Sequence, residues 1–111
     1  PLPVQKAMIV ALSDSEHVAQ QRARYNSRKD VLIPALEAAG FSIDFSDAGL
    51  YLWATRNEDC WQSVAWLASL GILATPGIFY GDATHIRIAM TATDEQISEA
   101  AMRITSEVSA Q

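Results

Sequence analysis

"GIFYGDATHIRIAM", residues 77–90, is the stretch that decides how this chain reads. Arg87 interrupts an apolar run between Ile86 and Ile88, and the loop ahead of it opens Pro76-Gly77 and carries Phe79, Tyr80 and Gly81. On a strand, alternate side chains point to opposite faces. Ile86 and Ile88 therefore share one face, while His85, Arg87 and Ala89 share the other. The pattern alone allows two readings of Arg87. It is either an arginine on a solvated sheet face, with or without a surface carboxylate, or a planar fork positioned to grip a carboxylate ligand through two parallel hydrogen bonds, a task lysine performs poorly.

Working outward, the period of two also holds at Phe41, Ile43 and Phe45, which alternate with Ser42, Asp44 and Ser46. Asp47-Ala48-Gly49 supplies turn chemistry, and Leu50 to Thr55 (LYLWAT) reads as the hairpin partner with its aromatic residues on one side. Ile72 to Thr75 reads as a short strand, and His85 to Met90 as another. Between the two pairs lies a helical pattern, capped at Asn57 with Glu58 and Asp59 in the first turn. Its apolar stripe is Trp61, Val64, Ala65 and Ala68 with Trp66 or Leu67, and Gly71 ends it. Trp61 and Trp66 are expected in the core or at an interface. A last helix starts at a Thr93/Gln96 capping box and carries Ile97, Ala100, Ile104 and Val108 on one face.

The N-terminal part reads as two helices. Residues 4–12 (VQKAMIVAL) suit a short buried helix. Ser13, with Glu16 three residues on, would cap a second. Its stripe is Val18, Arg22, Tyr25, Leu32, Leu36 and Ala39. Pro34 is expected to kink or divide that helix, and Gly40 to terminate it. The order helix, helix, strand, strand, helix, strand, strand, helix predicts an α+β fold: a small sheet of about four strands covered on one side by helices.

With 111 residues, half of them hydrophobic and 19% charged, the chain has the composition of one ordinary globular domain. Eight basic residues against 13 acidic ones give a net charge of −5, the wrong sign for tracking phosphates, so no nucleic-acid partner is expected. No apolar run reaches the ~20 residues of a membrane span, and no signal-peptide pattern stands at the start. With a single cysteine, Cys60, this favours a cytoplasmic protein and no membrane association. The chain opens Pro1-Leu2-Pro3 without Met and is expected to be a piece of a longer polypeptide. His17, His85 and Cys60 lack metal-ligand spacing, and no phosphate-cradling glycine loop appears. Cys60 reads as a small buried residue, and Asp44, Asp47, Glu58 and Asp59 as surface turn and cap acids.

Taken together, "QRARYNSRKDVLIPALEAAGF", "DAGLYLWA", "GILATPGIFYG" and "HIRIAMTATDEQISEAAMRI" resemble the C-terminal small domain of fold-type I, class I and II aminotransferases that use pyridoxal phosphate. The likeness covers nearly all of the chain, in order and spacing. It is nearest to the succinyldiaminopimelate aminotransferases of lysine biosynthesis, then to aspartate aminotransferase-like enzymes. The resemblance implies that Arg87 binds the substrate α-carboxylate, and that Gly49 and Phe79 also lie at the substrate. Pro76, Gly77 and Gly81 would border its entrance. Tyr25, Arg28 and Asp30 match a helix motif read as structural. The segment "DATHI" between Gly81 and Arg87 is shorter and poorer in glycine than the family's loop.

In the family the Schiff-base lysine and the cofactor's phosphate and ring-nitrogen partners lie on a large domain absent from this chain. Lys6 and Lys29 stand in helical patterns without the family's lysine motif. The chain alone is thus expected to bind no pyridoxal phosphate, to hold no catalytic residue, and to be inactive. Its parent would be a homodimer through the large domain, moving an amino group between an amino acid and a 2-oxo acid, with succinyldiaminopimelate or an aspartate/glutamate-type substrate. The alternative readings are a non-enzymatic α+β domain that recognises an amino acid's carboxylate, and a structural or dimerisation module, the latter favoured if the tryptophans are exposed.

Overall fold

A computed structural model describes residues 2–45 and 50–110, with side chains from 16–44 and 50–110. The elements are α1 (Leu2–Ala38), β1 (Ser42–Phe45), β2 (Tyr51–Thr55), α2 (Cys60–Ser69), β3 (Thr75–Pro76), a 3-10 turn (Gly77–Tyr80), β4 (His85–Ala89) and α3 (Asp94–Ala110). The four strands form one sheet in the order β1-β2-β4-β3, every neighbouring pair antiparallel. This is the expected α+β architecture.

The alternation of β2 and β4 sets the two faces of the sheet. Leu52 and Ala54 on β2 lie opposite Ile88 and Ile86 on β4, and all four are buried. Leu32, Ala35 and Leu36 from α1, Cys60 and Leu67 from α2, and Ile97 and Ile104 from α3 join them in the core, with Phe41 and Met90 from the adjoining segments. Burying each leucine or isoleucine of this set contributes roughly 1.5–3 kcal/mol. The opposite face carries Tyr51, Trp53, His85 and Arg87, none of which joins the core.

Two helix ends follow the sequence closely. At the end of α1, the Phe41 amide donates to the Leu36 carbonyl and the Gly40 amide to that of Glu37, with Gly40 at φ 97°. At the end of α2, Ile72 donates to Leu67 and Gly71 to Ala68, with Gly71 at φ 79°. Both are Schellman closures, which need a left-handed residue. At α3 the expected capping box forms: the Gln96 amide donates to Thr93 Oγ1 at 3.1 Å, and Gln96 Oε1 accepts from the Thr93 amide at 3.0 Å.

Five expectations are corrected. The N-terminal region is one helix of 37 residues, undivided at Ser13 and at Pro34, so Ser13 is no N-cap. That helix is about 55 Å long, more than twice the length of the 17-residue α3 it packs on. Val18 and Arg22 are accordingly exposed, and the buried stripe starts further along, at Lys29, Leu32, Ala35 and Leu36. In α2 the cap is Asp59, whose Oδ1 accepts from the Trp61 amide at 2.8 Å. Asn57 has φ 59°, a left-handed conformation incompatible with the extended backbone of an N-cap. The shifted start rotates the stripe to Cys60, Ser63 and Leu67 and leaves Trp61, Ala65 and Ala68 exposed. Finally, β3 is only Thr75–Pro76, because the Ile72 amide is already committed to the end of α2. Its proline sits on an edge strand, the place a sheet tolerates one.

Candidate functional site

Arg87 lies in the interior of the sheet, paired with Trp53 on β2 and with Thr75 on β3. Its side chain leaves the face away from the core. The guanidinium carbon Cζ stands over two tyrosine rings, 4.0 Å from the Tyr51 centroid and 4.7 Å from that of Tyr80. Each such contact contributes roughly 0.5–2 kcal/mol, depending on desolvation. Among the described residues, no carboxylate lies within ion-pair distance of Arg87 and no group accepts a hydrogen bond from it. The other described arginines of the sheet and its flanks differ. Arg28, Arg56 and Arg103 each meet an acid, at Asp94, Glu58 and Glu99.

Beside Arg87 runs a row of rings. Trp53 meets Tyr80 edge-on at 6.3 Å and stacks on His85 at 5.0 Å with planes 6° apart. His85 is held on both sides by acids. Its Nε2 bonds Asp44 Oδ2, and its Nδ1 lies 2.9 Å from Asp82 Oδ2, off the line of a hydrogen bond. Burial works to lower the pKa of His85, but Asp44 and Asp82 together outweigh it and raise the value above the usual 6.5. Asp82 is fixed by its own turn, where Oδ1 accepts from the amides of Thr84 and His85. The Thr84 amide foremost, then His85, holds its carboxyl below the ordinary 3.8.

Of the residues expected at the site, Arg87 is where the strand pattern put it. Phe79 meets Trp61 edge-on at 5.9 Å, and the aromatic of that loop in contact with Arg87 is its neighbour Tyr80. Gly49, with the Asp47-Ala48 turn, lies outside the described residues. Asp44 is no idle turn acid: it sits at a bulge between Ile43 and Phe45 and engages His85. The sequence signal for Tyr51 was the alternation of LYLWAT, which already set Tyr51 and Trp53 on one face. Nothing local could tell Tyr80 from Phe79, because their directions depend on the 3-10 turn.

Of the two lysines, Lys29 is 3% exposed on α1, and the side chain of Lys6 lies outside the described residues. No group of three His, Cys, Asp or Glu among the described residues is placed to hold a metal ion. No described helix is long and apolar enough to cross a membrane.

Compared with known proteins, the chain matches the family "Aminotransferase class I and II" over residues 1–104. It belongs to that family. Over 107 residues it is 58% identical to the Mycobacterium tuberculosis protein named "Probable aminotransferase Rv1178" and 57% identical to the 4-dedimethylamino-4-oxo-anhydrotetracycline transaminase OxyQ of Streptomyces rimosus. Each match takes in 95% of this chain but only 26% and 30% of those proteins. An aspartate aminotransferase variant from Thermus thermophilus shares the fold with a TM-score of 0.72 at 21% identity, over 83% of this chain and 26% of that one. This class I/II aminotransferase chain thus spans less than a third of the curated relatives it matches.

Proposed function

We propose that the chain is the C-terminal small domain of a pyridoxal phosphate-dependent aminotransferase, and that its share of the reaction is capture of the substrate α-carboxylate by Arg87. One observation carries this reading: among the described residues Arg87 is ring-flanked, half-buried and without an acidic partner, on the face of the sheet away from the core. A guanidinium so placed keeps its N–H fork for an incoming anion. A carboxylate matches that fork in plane with two charge-assisted hydrogen bonds.

The cofactor, when bound in the longer enzyme, stabilises the carbanion at the substrate α-carbon. The lysine and phosphate-binding groups belong to the rest of the longer polypeptide. In this reading the 111-residue chain is inactive by itself, and the parent is a cytoplasmic homodimer joined through its large domain. For substrate we keep succinyldiaminopimelate, which would place the enzyme in lysine biosynthesis, or an amino acid of the aspartate/glutamate type. OxyQ, at 57% identity, is named for a tetracycline precursor. A small domain that reads the α-carboxylate common to amino acids and leaves the side chain to other parts is compatible with relatives of such different substrates. Phe79 and Gly49 belong to the same proposed substrate region.

A second reading has an observation of its own. Trp61 and Phe79, 53% and 66% exposed, form an aromatic pair on the surface, which suits an interface with the remaining polypeptide or another copy. The test is to express the complete reading frame and the 111-residue chain separately with pyridoxal phosphate. Amino transfer to 2-oxoglutarate from one of the proposed donors is expected from the first alone. Turnover by the short chain, or none by the complete product, contradicts the proposal.

A further inference from the structure

We infer that Tyr51 and Tyr80 are positioning residues that hold Arg87 ready for its ligand, an inference that rests on the reading of Arg87 as a carboxylate clamp. The two rings come from different elements. Tyr51 is the first residue of β2, paired with Ala89 and so diagonal to Arg87 on the same face. Tyr80 ends the 3-10 turn that leads toward β4. Their centroids lie 4.0 and 4.7 Å from the guanidinium carbon. An unrestrained arginine samples many rotamers, and ordering it at the moment of binding weakens affinity. Between two rings the side chain is ordered before the ligand arrives.

The rings engage the guanidinium as cation–π partners and offer it no carboxylate or carbonyl acceptor. No described residue accepts a hydrogen bond from Arg87, so its fork stays available to a planar anion approaching edge-on. Tyr80 is itself braced by the edge contact with Trp53, which in turn stacks on His85. Neither phenol hydroxyl meets a partner among the described residues. The ring rather than the hydroxyl does the holding, and phenylalanine should serve in its place.

The test uses the full-length enzyme with L-glutamate as the amino-donor probe. Tyr51→Leu and Tyr80→Leu should each raise KM by about 3- to 10-fold with kcat within about twofold, and the phenylalanine variants should restore KM. In an Arg87→Ala background the same leucine substitutions should lower kcat/KM by less than about twofold further, because the group they position is gone. Unchanged KM in folded leucine variants overturns the inference. So does an undiminished loss in the Arg87→Ala background, which would mark a structural role. Tyr80 lies outside the core, so its variant keeps the test open even if Tyr51→Leu impairs folding. If Arg87→Ala is itself harmless, the carboxylate reading fails. If Arg87→Ala is damaging and the leucine variants are not, only the clamp fails.

Discussion

Trp53 and His85 stack face to face, their centroids 5.0 Å apart and their planes inclined by 6°. The stack sits where Asp44 from β1 and Asp82 from the loop before β4 converge on the same imidazole. Burial opposes the charge on His85, and the two carboxylates more than compensate, so the folded protein favours the protonated ring. A group whose pKa is higher folded than unfolded stabilises the fold fully below its unfolded value of 6.5, and that contribution disappears as pH rises through the raised value. Asp82, with its lowered pKa, acts in the opposite sense, and its contribution disappears only in acid, below 3.8. As pH rises above the unfolded value of 6.5, the melting temperature should therefore fall more steeply in the wild type than in His85→Gln. Parallel profiles for the two proteins would contradict the assignment.

Arg28 ties α1 to the start of α3. Its Nη1 donates to the Met90 carbonyl at 2.8 Å and its Nε to Asp94 Oδ1 at 2.8 Å. The carbonyl bond is partly buried, whereas the Asp94 side chain is largely exposed, so the first should dominate. Arg28→Ala is expected to cost about 1.5–3 kcal/mol, and Asp94→Ala less than about 1 kcal/mol. Chemical denaturation of both variants measures this, and equal losses would be the wrong outcome.

The turn that delivers Tyr80 depends on Gly77. A Cβ there would stand 2.6 Å from the Asp82 carbonyl oxygen and against that of His85, both fixed backbone atoms. At Gly81, φ is +87° but nothing lies within 4 Å of an added Cβ. Gly81→Ala should cost only backbone strain of about 1–2 kcal/mol. Gly77→Ala should cost more, toward the upper end of the roughly 1–3 kcal/mol of an overpacked site. Thermal melts that rank the two in the reverse order would show that the turn adjusts more easily than its contacts suggest.

What was legible in the sequence follows from how local the cause is. The faces within each strand were, since period two puts Tyr51 with Trp53 in LYLWAT and His85 with Arg87 in HIRIA; that the two pairs share a side came from the β2–β4 register. The Thr93/Gln96 box and the endings at Gly40 and Gly71 were too, each being a contact within a few residues. The cap of α2 was not, because Asn57 is drawn into a left-handed turn whose amide donates to Thr55 Oγ1 at 3.1 Å. That hydroxyl is itself committed to the Thr84 carbonyl, 29 residues away. The ring row beside Arg87 was invisible for the same reason. It joins β2, β4 and the 3-10 turn, and only the folded sheet brings Trp53, Tyr80 and His85 together.

The central claim is that Arg87 receives a substrate carboxylate through a bidentate fork, and kcat/KM of Arg87→Lys in the full-length enzyme tests it most directly. Lysine keeps the charge and removes the fork. Charge-assisted hydrogen bonds are worth roughly 1.5–3 kcal/mol each, and two are at stake. The account predicts a fall in kcat/KM of about 10²-fold or more, with cofactor binding and melting temperature nearly unchanged. Near-normal turnover in that variant, and in a stably folded Arg87→Ala enzyme, would contradict it and leave Arg87 an arginine on a solvated sheet face.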